Sequence, residues 1–198
     1  MWIVVTGGQL QVLVRPAKED DARGIARAFV DTFLSAYRDL GPASLLQFSY
    51  EASERNWRRS IHDIQVNADS ENSTECIYVA ERTHGRTVEI VGVAMGGPER
   101  TANPDYQGEV YVLALLPAYQ RQGLGRILVR TVAEQLHGYH MNGLLIRVLS
   151  ANQAARNFYE ALGGELVIHE VIEEEGVVLD QVGYDWAAVN SLLLSPGG

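Results

Sequence analysis

Residues Gln120-Arg121-Gln122-Gly123-Leu124-Gly125 join an apolar run to an amphipathic helix, and this join constrains the chain more than any other segment. Before it, Glu109-Val110-Tyr111-Val112-Leu113-Ala114-Leu115-Leu116-Pro117 reads as a buried strand closed by proline. After it, Leu124, Ile127, Leu128, Val132 and Leu136 fall on one helical stripe. A loop in which glycine recurs two residues on, opening straight into a helix, presents unpaired backbone N–H groups at the helix's positive end. That arrangement suits a pyrophosphate. An ordinary strand-to-helix turn would use the same residues, so the rest of the chain has to decide between the two.

The 198 residues fit one domain over 1–198, long enough for a sizeable core, with 46% apolar and 21% charged residues. A formal net charge of −9 argues against non-specific nucleic-acid binding, which needs a basic surface, and is compatible with cationic substrates such as amines. Cys76 is the only cysteine, so neither an intrachain disulfide nor a thiolate metal site is expected, and a reducing, cytoplasmic setting fits best. The opening Met1–Gly8 has no basic n-region and too short an apolar run for a signal peptide or membrane span; residues 1–9 read as an extra strand or a loose leader.

Leu10 to Arg15 reads as a strand stopped by Pro16, followed by a helix capped by Asp20 or Asp21 with Ala22, Ile25, Ala26, Phe29, Val30 and Phe33 on its buried face. Gly41-Pro42 breaks the pattern, Leu45 to Val66 reads as further helix with Trp57, Ile61 and Ile64 as apolar points, and Asp69–Ser73 is a polar loop. Strands at Cys76–Glu81 and Val88–Met95, turning at His84-Gly85, form a hairpin signal, and Gly96–Gly108 is a long loop rich in turn residues. After the glycine loop and its helix come a strand at Leu144–Leu149, then a helix with Ala155, Phe158 and Leu162 on its core face, ended by Gly163-Gly164. Leu166–Val171 and Val177–Trp186 close the chain as a hairpin around Glu173–Gly176. The order β–α–α–β–β–β–α–β–α–β–β implies an α/β (α+β) fold with a mixed sheet and helices on both faces.

With these pieces in place the chain resembles the GNAT superfamily of N-acetyltransferases over nearly its whole length. Gln120-x-x-Gly123-x-Gly125 is similar to the superfamily's acetyl-CoA pyrophosphate motif, and Asn152 with Ala154–Gly164 to its C-terminal motif. Val14-Arg15-Pro16-Ala17-x-x-Asp20-Asp21 looks like its opening, and Ala94–Gly97 like the segment before its central strand. Ser35–Arg38, Trp57-Arg58 and Gly108–Tyr111 resemble a common bacterial group of GNAT proteins whose substrates are mostly unassigned. The resemblance implies a central, mostly antiparallel twisted sheet and acetyl transfer from acetyl-CoA to a primary amine by direct attack in a ternary complex. No metal and no covalent enzyme intermediate are implied.

It also implies roles for residues. Leu113, Ala114 and Leu115 would pair through their backbone with the cofactor's pantetheine arm, and Gln120, Arg121, Gln122, Gly123, Leu124, Gly125 and Arg126 would surround the pyrophosphate. One departure is Arg121, where the family often has a glycine. Asn152, Arg156 and Tyr159, one helical turn apart, can share a face near the cofactor. Tyr159 is the candidate general acid for the leaving thiolate, or else an amphipathic wall residue. Glu109 is the candidate base, reaching the amine through water, or else a strand-end carboxylate facing solvent or pairing with an arginine. Tyr111 lies on the same face by strand alternation. Phe33, Tyr37, Arg38 and Trp57 would line the acceptor side, or serve as core. His137 and His140 read as surface, and Cys76 lacks a matching histidine for nucleophilic catalysis. The partners implied are a small-molecule or peptide amine, no nucleic acid, no membrane, and a homodimer as candidate assembly. Two other functions stay open: a catalytically weak acyl-CoA-binding or sensing module, and a protein N-terminal or lysine acetyltransferase.

Overall fold

The computed structural model describes residues 3–7, 10–38, 47–67, 74–85, 87–101, 103, 105–174, 176–186 and 192. The Gly41-Pro42 break, the Asp69–Ser73 loop and Glu175 of the closing turn lie outside them. Twelve elements run in the order β1 (Ile3–Gly7), β2 (Leu10–Pro16), α1 (Ala22–Tyr37), α2 (Tyr50–Val66), β3 (Cys76–His84), β4 (Thr87–Pro98), β5 (Gly108–Leu115), α3 (Leu124–Gly138), β6 (Leu144–Leu149), α4 (Gln153–Ala161), β7 (Glu165–Glu174) and β8 (Val177–Trp186), with short 3₁₀ turns at Glu19–Asp21 and Pro117–Tyr119. The strands form one sheet in the spatial order β1-β2-β3-β4-β5-β6-β8-β7. Every neighbouring pair is antiparallel except β5 with β6.

Residues 3–7, read as strand or leader, pair with β2 from Ile3↔Val14 to Gly7↔Leu10. The second helix starts at Tyr50 rather than Leu45: the Ser49 hydroxyl accepts from the Ala52 N–H and fixes the start, as an N-cap serine does. The strand of the β4 hairpin arm also runs further than the apolar pattern suggested, to Pro98, because Gly96 and Gly97 stay in register with Val110 and Glu109.

The sheet separates two cores. On one face α3 and α4 cover Ala94, Val110, Leu115, Leu144, Ile146 and Tyr184. On the other, α1 and α2 cover Ile77, Val79, Val93 and Ala114 with Ile25, Ala26, Trp57 and Ile61. A strand covered on both faces reads as a continuous apolar run, which is why β3 opens with Cys76-Ile77-Tyr78-Val79-Ala80, all buried. Among the described residues no helix is long and apolar enough to cross a membrane.

Two irregularities in β5 position the site. Pairing with β4 passes from Met95↔Val112 to Gly96↔Val110, so Tyr111 is the extra residue of a β-bulge. The bulge reverses the side-chain parity of the strand: Val110 belongs to the α3/α4 core, whereas Val112 packs with the α1/α2 core. Pairing with β6 covers Gly108↔Leu144, Glu109↔Leu145 and Val110↔Ile146 and then stops, although β5 continues to Leu115 and β6 to Leu149. From Tyr111 onward the two strands diverge, and the edge of β5 facing β6 has no strand partner among the described residues.

Candidate active site

The divergence opens a cleft through the sheet, with a cavity of about 170 Å³ walled by Val110–Ala114 of β5, Ile146–Val148 of β6, Phe29, Phe33 and Tyr37 of α1, and Asn152, Ala155 and Tyr159 of α4. Helices from opposite faces therefore meet in the split. Asn152 joins them: it caps α4 by accepting from the Ala155 N–H at 3.1 Å, and its Nδ2 donates to the Tyr37 hydroxyl at 3.1 Å. Of the strand residues expected to face the cofactor, Leu113 and Ala114 line the cavity. Leu115 lies beyond it, and its carbonyl accepts from Gln120 Nε2 at 2.8 Å.

The glycine loop follows directly. Gly123 is the N-cap of α3 in the left-handed region, φ 83°, and no side chain caps this helix. Nothing lies within 4 Å of a Cβ built on Gly123, so glycine is needed there for its backbone angle alone. Arg121 also has positive φ, 60°. The position where the family often has glycine is therefore one that favours it here as well. Gly125 is favoured for a different reason: a Cβ would stand 3.3 Å from the Phe158 ring, so its absence lets α4 pack closely on the first turn of α3. Among the described residues the backbone N–H groups of 121–126 have no acceptor. The side chains of Gln120 and Gln122 are spent on the loop itself, donating to the Leu115 and Ala118 carbonyls. Arg121 and Arg126 remain as cations beside the unpaired donors.

Tyr159 is not on a separate polar face. It is 6% exposed, in the core with Leu162, its ring against Phe158, Tyr184 and Trp186. Its hydroxyl has no hydrogen-bond partner among the described residues. Burial, and then the neighbouring Tyr37, push its pKa far above the usual phenol value. Burial also raises Tyr37, opposed by the Asn152 hydrogen bond.

Three expectations are corrected. Trp57 lies in the α1/α2 core beside Phe29 and does not line the cleft. Arg156 does not present a free guanidinium to a cofactor: its Nε donates to the Tyr184 hydroxyl at 3.1 Å and its Nη1 to the Ser150 carbonyl at 3.2 Å. Glu109 stands at the start of the central strand but is wholly buried and not open to water. Arg100 donates to both of its oxygens, at 2.6 and 3.1 Å, and Arg147 Nη1 lies 3.0 Å from Oε2. Both carboxylate oxygens are thus engaged by arginines.

Glu109 belongs to a cluster that the sequence reading missed. Arg147, 7% exposed, also donates to Glu99 at 2.5 Å and to the Thr101 hydroxyl at 3.0 Å, and lies 3.4 Å from Glu170. Burial would raise the Glu99 carboxyl, but the hydrogen bonds from Thr101, Arg147 and the Asn103 backbone hold it down to about 2. Arg100 stacks over the Tyr111 ring at 4.6 Å, and the Tyr111 hydroxyl donates to the Pro98 carbonyl at 2.5 Å. Glu109 and Tyr111 thus share Arg100, on the same side of the strand. The signal for this cluster was the lone arginine in the otherwise apolar Leu144–Leu149, since a buried cation requires a carboxylate partner. Burial pushes the Cys76 thiol up to about 12, which makes it inert as a nucleophile, and no group of metal-ligating side chains occurs among the described residues.

The fold is shared with known proteins. The model of the Acetyltransferase (GNAT) family matches residues 40–164. The chain is 31% identical over 182 residues to the uncharacterized N-acetyltransferase YuaI of Bacillus subtilis, covering 91% of this chain and 96% of that one. It is 32% identical over 90 residues to the N-alpha-acetyltransferase RimI of Mycobacterium tuberculosis, a match spanning 46% of this chain and 52% of that one. Among solved structures, the PaiA N-acetyltransferase of Thermoplasma acidophilum in complex with coenzyme A superposes with a TM-score of 0.62 at 13% identity, covering 88% of this chain and 99% of that one. On this evidence the chain belongs to the acetyltransferase (GNAT) family.

Proposed function

We propose that the protein transfers acetyl from acetyl-CoA to a primary amine by direct attack of the amine on the thioester. The observation that carries this reading is the continuity of one binding path: the partnerless edge of β5 from Tyr111 onward leads into the acceptor-free N–H groups of residues 121–126. The first suits the amide-bearing pantetheine arm and the second a pyrophosphate. Arg121 and Arg126 add charge beside the phosphates. The acetyl group would then lie in the cavity of the split, between α1 and α4, where Phe33, Tyr37 and Tyr111 can contact the acceptor.

Most of the rate gain comes from holding amine and thioester together, with β5 N–H groups steadying the oxyanion. Tyr159 delivers the proton that the leaving sulfur takes up. The Glu109 carboxylate, engaged by two arginines, anchors Arg100 and Arg147 instead of collecting the amine's proton, which passes to solvent. Tyr159→Phe is expected to lower turnover by ten- to a hundredfold, at the low end of the range for a general acid, while acetyl-CoA affinity stays within about twofold. Lost affinity with intact turnover would make Tyr159 a wall residue.

The likeness to RimI favours a protein N-terminus as a second acceptor class. Calorimetric titration with acetyl-CoA, against free CoA, tests the cofactor path. Thiol release in the presence of small amines, and separately of peptides with free N-termini, then sorts the acceptors. Absence of acetyl-CoA binding by the folded protein overturns the reading, and binding without transfer to either class reduces the chain to an acyl-CoA sensor.

A further inference from the structure

Among the described residues Arg147 is the one cation lining the cavity of the split, and its hydrogen bonding is incomplete. Nη2 is used by Glu99 and Thr101. Nη1 stands 3.0 Å from Glu109 Oε2 without the alignment of a hydrogen bond, and Nε has no hydrogen-bond acceptor among the described residues. Both nitrogens are closed to solvent on a side chain only 7% exposed, so water does not complete them. A buried donor without an acceptor is costly, the more so on a charged group. What covers Nε is Glu170, whose Oε1 lies 3.4 Å away, too far and too poorly aligned to accept. The Glu170 side chain is 38% exposed, so it can swing out into solvent. The strand register sets it on the split side of Arg147. Glu170 pairs with Gln181 and Gln181 with Leu149, two residues past Arg147 in the direction in which β5 and β6 part. The charges here do not balance: Glu99, Glu109 and Glu170 face Arg100 and Arg147. A further carboxylate would raise the negative excess, whereas a neutral oxygen would not.

We propose that Arg147 is the residue that selects the acceptor. When the amine enters the split, Glu170 swings out and Arg147 Nε donates to an uncharged carbonyl oxygen carried beside the amine. The acceptor class is then an α-amino amide, whether a small molecule or the N-terminus of a peptide. An alkyl amine brings no oxygen for Nε, and a free amino acid brings a carboxylate into a site already negative. This rests on the acetyl transfer proposed above and adds to it the chemistry of the acceptor.

The test is thiol release from acetyl-CoA with glycinamide and with propargylamine, a primary amine of similar basicity that carries no oxygen. In the wild type, kcat/KM is expected to be higher for glycinamide by about tenfold or more, as a hydrogen bond from a charged group provides. Arg147→Lys keeps a cation for Glu99 but has no Nε–H, so this preference should fall toward unity. Being a ratio within one enzyme, it is unmoved by lost stability. Glycine should be a poorer acceptor than glycinamide, and Glu170→Gln, which removes the excess charge, should narrow that gap severalfold. Equal kcat/KM for glycinamide and propargylamine in the wild type, or a preference kept by Arg147→Lys, overturns the assignment. Should Arg147→Lys fail to fold, an unchanged glycinamide-to-glycine gap in Glu170→Gln overturns it instead. Glycinamide and a tripeptide amide both carry the required oxygen, and the higher kcat/KM of the two identifies the source of the acceptor. A folded wild-type protein that releases thiol with none of these amines, propargylamine included, overturns the transferase reading itself, a result distinct from a missing preference.

Discussion

The two loops that flank β5 are built on opposite rules. The loop before it, Glu99–Gln107, closes over a set of charges paired with one another: Glu99 and Glu109 against Arg147 and Arg100, with Thr101 and the Asn103 backbone donating to Glu99. The loop after it, Pro117–Gly123, leaves the backbone N–H groups from Arg121 onward without acceptors among the described residues and holds two residues at positive φ. One end of the strand has its carboxylates paired within the fold, and the other leads to backbone donors that no described residue accepts from. Both loops are polar and rich in turn residues, so composition does not separate them. What separates them is that the first sets opposite charges against one another within the chain, whereas the second turns backbone donors outward.

The comparison breaks most readily at Arg147. Arg147→Met leaves Glu99 and Glu109 buried beside a single, half-exposed guanidinium, and a loss of about 3–5 kcal/mol in urea-unfolding stability is expected. A variant as stable as wild type would show that the first loop is not held by its charges. Acid probes the same loop without mutation. The Glu99 carboxyl lies below its ordinary value of 4.5, at about 2, so its contribution is fully present above pH 4.5 and is lost as pH falls toward 2. That loss should be on the order of 3 kcal/mol, and Glu99→Gln should remove this part of the pH dependence. An unchanged slope in the variant would reassign the acid sensitivity to other carboxylates.

The second loop should respond in binding as well as in stability. Gly123→Ala meets no steric neighbour but must take a left-handed angle, costing about 1–2 kcal/mol, and any shift of the backbone should weaken acetyl-CoA in calorimetry. Unaltered affinity and stability would deny the loop its dependence on that angle. The smallest effect is expected from Arg121→Gly, which relieves the same kind of angle at the expense of chain entropy. It should raise stability by no more than about 1 kcal/mol while slightly weakening acetyl-CoA through lost charge.

Much of this was legible in the order of residues. The glycine loop with its apolar run before and its stripe after identified β5 and α3, the element order implied a mixed sheet with helices on both faces, and the family resemblance implied that it is mostly antiparallel. What remained hidden depended on contacts between distant segments. Strand alternation cannot anticipate a bulge, so the change of parity at Tyr111 was invisible, and with it the turning of Val112 toward α1. Tyr159 and Phe158 exchange the burial expected of them, because Gly125 lets Phe158 rest on α3 while Tyr159 turns inward. Glu99 and Arg147 are 48 residues apart and Tyr37 and Asn152 are 115, and local periodicity carries no information at that range.

The parallel contact between β5 and β6 is confined to three residue pairs, and this gives the chain a seam. Strands β1 to β5 each bond to the next in sequence, and β6, β7 and β8 bond only among themselves apart from those three pairs. Backbone connectivity therefore divides the molecule into two pieces that meet between α3 and β6, near Met141. Each piece keeps its own strand pairings, so a polypeptide interrupted at the short turn Tyr139–Asn142 would have only those three strand pairs left to re-form between the sheets of the two fragments.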